Sequence, residues 1–289
     1  MIQVVTLSPA IDVTYTLEKM QVGEVNRIKH VARIPGGKGL NVARILQKLG
    51  KSPTLHCPLG GANGDWLEDQ LERLDIKTNI TKISNNTRSA ITVSDTDVTV
   101  LNEPATELTD EELEELKFGV DESEVLIFSG SVPKNITTEQ FESFLKTLKS
   151  KSETLIVDTS GEYLVAASKY ADYLKPNLEE LEQATGWRKQ QAIESITARG
   201  SKVILSLGEQ GVELYGETRV ICKVPVQSGN PTGAGDALTA GFAAYLEQGE
   251  EKALVQGCAV GAASVNSNIA GDFDQITYEQ LLNQVEVSS

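Results

Sequence analysis

The stretch Gly229-Asn230-Pro231-Thr232-Gly233-Ala234-Gly235-Asp236 opens a run of small and apolar residues that continues to Phe242. Gly233 and Gly235 allow a sharp turn and a close backbone approach to a ligand. The helix that follows starts with amide groups lacking intrahelical carbonyl partners, which makes an anion site. A carboxylate at Asp236 fits such a site if it takes a proton from a hydroxyl that attacks phosphorus; the alternative is that Asp236 caps the helix.

A second glycine-rich turn, Pro35-Gly36-Gly37-Lys38-Gly39-Leu40-Asn41-Val42-Ala43, also enters a helix. It lacks P-loop spacing, and no dinucleotide fingerprint follows the first strand. Glycines around one lysine suit a backbone pressed against a polyhydroxylated, charged ligand, although a tight strand-to-helix connection uses the same residues. In Lys175-Pro176-Asn177-Leu178-Glu179-Glu180, Asn177 and Glu180 lie one helical turn apart and can address one magnesium-bound water shell. An N-cap with an N3 acid is equally consistent with that spacing. Ser206-Leu207-Gly208-Glu209-Gln210-Gly211 could hold nucleotide phosphate or ribose through its backbone, or simply lead into a hairpin.

Positioning these groups requires a scaffold, and the hydrophobic pattern describes one. Apolar runs at Val4–Leu7, Thr54–Leu59, Val125–Phe128, Leu155–Val157, Tyr173–Lys175 and Val203–Leu207 read as strands buried on both faces. Helix starts with the capping-box pattern stand between them at Thr109 and Thr137. Alternating strands and helices imply a parallel sheet covered on both sides. Asp12–Leu17 with Val25–Ile34, and Ile91–Val93 with Val98–Val100 around a 94–97 turn, alternate at period two instead. They predict a small antiparallel lid inserted at about 12–34 and 87–101 into one α/β domain spanning 1–289. Two small-residue helices are expected at Ala234–Leu246 and Ala253–Val265.

Composition narrows the chemistry. Of 289 residues, 40% are hydrophobic and 23% charged, and the net charge is −15, so clustered cations for nucleic acid are missing. An anionic substrate would need a locally basic pocket. His30 and His56 are the only histidines, which leaves a carboxylate as the expected general base. Cys57, Cys222 and Cys258 form no CxxC pair and read as buried apolar residues. No membrane span or basic leader is visible, so a cytoplasmic protein is expected.

Together these residues resemble the ribokinase-like PfkB carbohydrate kinases. The opening Thr6-Leu7-Ser8-Pro9-Ala10-Ile11-Asp12 and the Gly36–Asn41 turn look like the branch that contains 1-phosphofructokinase and tagatose-6-phosphate kinase. The resemblance implies a three-layer α/β/α fold with a mostly parallel sheet, ATP and Mg2+ as cofactors, and a phosphorylated hexose, a ketose, as substrate. It implies that Asp12, Gly37 and Asn41 bind sugar hydroxyls and that Lys38, Arg27 and Arg88 hold the phosphate already present. By the same likeness, Gly233, Ala234 and Gly235 supply amides to the transferred phosphoryl group, and Asp236 is the base. Asn177 and Glu180 would orient magnesium through water; Ser206, Gly208, Gly211 and Asn266 would contact the nucleotide. Fructose 1-phosphate is the first expected acceptor and tagatose 6-phosphate the alternative; a non-catalytic sugar-phosphate sensor is the remote one. Ser8 stands where this branch usually has Asn, and Pro231, Thr232 and Ala237 also depart from its pattern. A homodimer through the lid is expected, because a one-sided sheet has an apolar face to cover.

Overall fold

Strands form where the apolar runs stand. A computed structural model describes residues 1–96, 98–267 and 269–289, so the last residue of the expected 94–97 turn lies outside the described residues. The strands are β1 (Ile2–Val5), β2 (Ala10–Thr16), β3 (His30–Gly36), β4 (Thr54–Leu59), β5 (Lys77–Lys82), β6 (Arg88–Ser94) and β7 (Val98–Asn102). They continue as β8 (Ser123–Ser129), β9 (Ser152–Asp158), β10 (Tyr173–Leu174), β11 (Lys202–Ser206), β12 (Val212–Tyr215), β13 (Arg219–Lys223) and β14 (Glu286–Ser288). The helices are α1 (Lys38–Lys48), α2 (Gly61–Arg73), α3 (Asp110–Gly119), α4 (Thr138–Ser150), α5 (Glu162–Ala167), α6 (Leu178–Thr185), α7 (Lys189–Thr197), α8 (Ala234–Tyr245), α9 (Glu250–Ser264) and α10 (Gln275–Leu282).

Among the described residues the large sheet has ten strands in the order β14-β13-β12-β11-β10-β9-β8-β1-β4-β5. From β5 to β11 every neighbouring pair is parallel, and the last three strands pair antiparallel. Successive side chains point to opposite faces of a strand, which splits the core in two. Val4, Ile127, Ile156 and Ile204 pack with apolar residues of α1, α2, α8, α9 and α10. Val5, Phe128, Val157 and Leu205 pack with those of α3 to α7. This is the expected three-layer arrangement. Thr109 and Thr137 each close the reciprocal capping box that their sequences predict, at the starts of α3 and α4.

The second sheet has the order β3-β2-β6-β7. Each hairpin is antiparallel, and a parallel seam between β2 and β6 joins the two. The strand expected over 25–34 begins only at His30. Before it, Asn26 Oδ1 accepts from the Gln21 amide, and Asn26 Nδ2 donates to the Gln21 and Glu24 carbonyls. That local bonding competes with a ladder and holds the chain in a loop.

Candidate active site

Ser8 beyond β1, Gly130 beyond β8, Thr159 beyond β9, Lys175 beyond β10 and Ser206 at the end of β11 line one cleft of about 970 Å³. They stand at the carboxyl ends of parallel strands, where diverging loops leave a crevice in open α/β sheets. The lid adds Asp12, Arg88 and Asn102 to the same cleft.

α8 starts on the cleft with Gly233 as its N-cap at φ +86°, a left-handed conformation that glycine takes without strain. Ala270 packs over this turn, since a Cβ on Gly233 would lie 3.1 Å from that of Ala270. Asp236 sits in the first helical turn but makes no capping bond. Its Oδ2 instead accepts from Asn41 Nδ2 at 2.8 Å. Among the described residues the amides of Gly233, Gly235 and Asp236 have no carbonyl partner, whereas the Ala234 amide donates to the Pro231 carbonyl at 3.1 Å. The turn therefore leaves the amides of Gly233 and Gly235 without a carbonyl partner and engages that of Ala234 within the turn itself.

Behind Asp236 lies a buried charge cluster. Asp158, wholly buried, holds Lys38 Nζ at 2.9 Å and Lys175 Nζ at 3.3 Å. Burial alone would raise the Asp158 carboxyl, but the two ammonium groups outweigh it and keep Asp158 below its usual range. Asp236 goes the other way. Burial first, and the Asp158 charge second, push it up to about 7 against the pull of Lys38, Asn41 and Lys175. Lys38 also stands 3.7 Å from Glu180 Oε1, and its carboxylate neighbours outweigh burial and raise its pKa.

On the acceptor side, the Asp12 carboxyl occupies the space a Cβ on Gly36 would fill, 2.0 Å from Asp12 Cγ. Burial pushes Asp12 up to about 6, with Arg88 and Arg44 pulling it down. Arg88 donates through Nη1 to the Glu103 carbonyl at 3.1 Å while its buried Nε has no partner. Ser8 Oγ, Asn41 Oδ1 and Thr159 Oγ1 are likewise buried and unpartnered. Such orphans are rare in folded interiors, and all four residues line the cleft. Gly37, at φ +90°, lines it as well.

The remaining expected residues divide. Ser206, Gly208, Gly211, Asn177 and Glu180 line the cleft. Asn177 and Glu180 form a reciprocal capping box at the start of α6, which engages Asn177 Oδ1 and Glu180 Oε2 with backbone amides and leaves Glu180 Oε1 turned toward Lys38. Among the described residues no cluster of three or more His, Cys, Asp or Glu is arranged to hold a metal. Arg27 does not line the cleft: it is exposed on the loop between β2 and β3 that Asn26 organises. Asn266 does not line it either; its Nδ2 donates at 3.2 Å to Oε1 of Gln227, a lining residue, so it stands directly behind the cleft wall beside Val265.

A model of the pfkB family carbohydrate kinases matches residues 1–275. The chain belongs to the pfkB family of carbohydrate kinases. It is 29% identical over 307 aligned positions to a tagatose-6-phosphate kinase of Staphylococcus epidermidis, covering 99% of each chain. Phosphofructokinase-2 of Escherichia coli, solved with fructose-6-phosphate, superposes with a TM-score of 0.87 at 26% identity, over 97% of this chain and 99% of that one. An Arabidopsis thaliana ribokinase shares the fold, with a TM-score of 0.78 at 22% identity over 97% and 98%. The pfkB chain is thus a phosphotransferase that acts on a sugar hydroxyl.

The pfkB site contains residues that the motifs did not single out. Asp158 and Thr159 end and follow a buried strand, and Lys175 follows the next one. A polar residue at the carboxyl end of an apolar run was the available signal. Arg44, which stands outside the cleft but acts on Asp12 through its charge, carried none, for it looks like any solvated cation on an amphipathic helix.

Proposed function

We propose that this kinase transfers the γ-phosphoryl group of ATP to a hydroxyl of a phosphorylated ketohexose, with fructose 1-phosphate as the first acceptor. The observation that carries the reading is Asp236: a buried carboxylate with a raised pKa, beside unpartnered amides of a helix start, in a cleft that also holds Arg88. A base of this kind takes the proton of the attacking hydroxyl. Gly233 and Gly235 amides face the charge that builds on the transferred group. Arg88, with its free Nε, and Lys38 take the acceptor phosphate, while Asp12 and Asn41 orient sugar hydroxyls. Arg27 stays outside this set. Ser206, Gly208 and Gly211 take the nucleotide. Magnesium, when bound, offsets phosphate charge; Asn177 and Glu180, engaged in their capping box, suit holding it through water.

What supports fructose 1-phosphate is the Asn102-Glu103-Pro104 segment, which resembles the 1-phosphofructokinase side of the branch more than the tagatose-6-phosphate side; Asn102 lines the cleft and the Glu103 carbonyl accepts from Arg88. The Staphylococcus epidermidis relative, by its name a tagatose-6-phosphate kinase, favours that second acceptor. A coupled ADP-release assay with ATP and magnesium over fructose 1-phosphate, tagatose 6-phosphate, fructose 6-phosphate and free sugars decides between them. One sugar phosphate should dominate, and Asp236→Asn should lower kcat by ~10²–10⁴. Preference for free sugars would sink the phosphate assignment of Lys38 and Arg88, and an active Asp236→Asn would remove the base.

A further inference from the structure

Asn41, Arg44 and Lys48 are spaced by three and four residues, so they share one face of α1. All three reach the distant C-terminal part of the chain. Asn41 bonds Asp236, and Lys48 bonds Asp272 and the Phe273 carbonyl. Arg44 donates through Nη1 to the Ala270 carbonyl at 2.9 Å and to the Pro35 carbonyl at 3.4 Å. Pro35 belongs to the root of the lid, where β3 faces Ile11 of β2. Ala270 backs the Gly233 turn, and Gly271 is so close that a Cβ there would lie 3.0 Å from Arg44 Nη1. Arg44 itself does not line the cleft.

We propose that Arg44 is a positioning residue that fixes the lid root to the 270–272 segment behind Gly233, so that Asp12 and Asp236 keep one spacing when the acceptor binds. A guanidinium suits this, because the two N–H groups of its planar Nη1 are held in fixed directions toward the two carbonyls, whereas the donors of an ammonium rotate freely. The roles of Asp12 and Asp236 come from the proposed kinase reading; the physical coupling does not depend on it.

Two readouts on the full-length chain separate these. In hydrogen–deuterium exchange, Arg44→Gln should accelerate exchange at 10–16, 30–36 and 270–272 together, by about tenfold for the loss of a charged hydrogen bond. Acceleration on one side alone, or none, overturns the coupling. In kinetics with whichever acceptor the wild type uses, acceptor KM should rise about tenfold while ATP KM moves less than about twofold, with part recovered in Arg44→Lys. A kcat loss at constant acceptor KM overturns it, as does an equal KM rise in Lys48→Gln, which loosens the same segment without touching the lid. If the wild type prefers a free sugar, the sugar-phosphate reading falls and the KM comparison is made with that sugar; if it turns over no acceptor, the exchange result alone decides Arg44. Should Arg44→Gln fail to fold, Arg44→Lys carries both readouts.

Discussion

Two carboxylates and two lysines meet in the floor of the cleft, and their charges do not divide evenly. Asp158 holds both ammonium groups, which leaves Asp236 buried beside a second negative charge. Its folded pKa is raised to about 7, above that of the unfolded chain. The sign follows: this group's contribution to stability is present below the ordinary carboxylate range and is lost as pH rises through about 7. Asp236→Asn, which keeps an acceptor for Asn41, should therefore be more stable than wild type at pH ~8, by roughly 3 kcal/mol or ~5 °C in Tm, with the gain shrinking toward pH ~5. Calorimetry of the unliganded protein at both pH values checks this. A variant no more stable at the higher pH would show that Asp236 is not strained by its charge. The same imbalance that weakens the fold suits a base.

Among the elements, α8 carries both the anion turn and Asp236, so its seat matters. It packs on α9 at Gly241 and Gly257, where a Cβ on Gly257 would lie 2.8 Å from the Leu238 carbonyl and 3.0 Å from Leu238 Cδ1. Backbone cannot give way as a flexible side chain does. Gly257→Ala should cost about 1–3 kcal/mol as overpacking, read as a lower denaturant midpoint, and should lower kcat by displacing α8. Unchanged stability would mean that the helices separate without strain. The small-residue character of both helices was legible in the sequence, and so were the two glycine-rich turns beside the cleft, whereas the turns at 130–131 and 159–160 that also line it were not. The start of β3 was not, because Asn26 bonds its own loop and the alternation at 25–34 cannot reveal that.

At the scale of the molecule, the lid has an uncovered face. The register places Val98 and Val100 of β7 on the same face as Asp12 and Asn102, beyond the cleft, and they are 68% and 55% exposed. Apolar side chains so placed support pairing with a second lid, and a dimer is the expected state at micromolar concentration by sedimentation velocity. Val98→Asp with Val100→Asp should shift it to monomer. A wild-type monomer would remove the idea. Among the described residues no helix is long and apolar enough to cross a membrane.

The sequence by itself determined the alternation of strands and helices, both glycine turns and the carboxylate at Asp236, since these follow from period, backbone freedom and helix-start chemistry within about ten residues. It also held the family motifs that span the chain. Only the tertiary structure decided that Lys38 reaches Asp158, that Arg44 joins the lid root to the 270–272 segment, and that Arg27 and Asn266 stand outside the cleft. The reason is range. Periodicity and capping act over a few residues, whereas the ion pair of Lys38 with Asp158 joins positions 120 apart, and their meeting is set by the order in which the parallel strands stack.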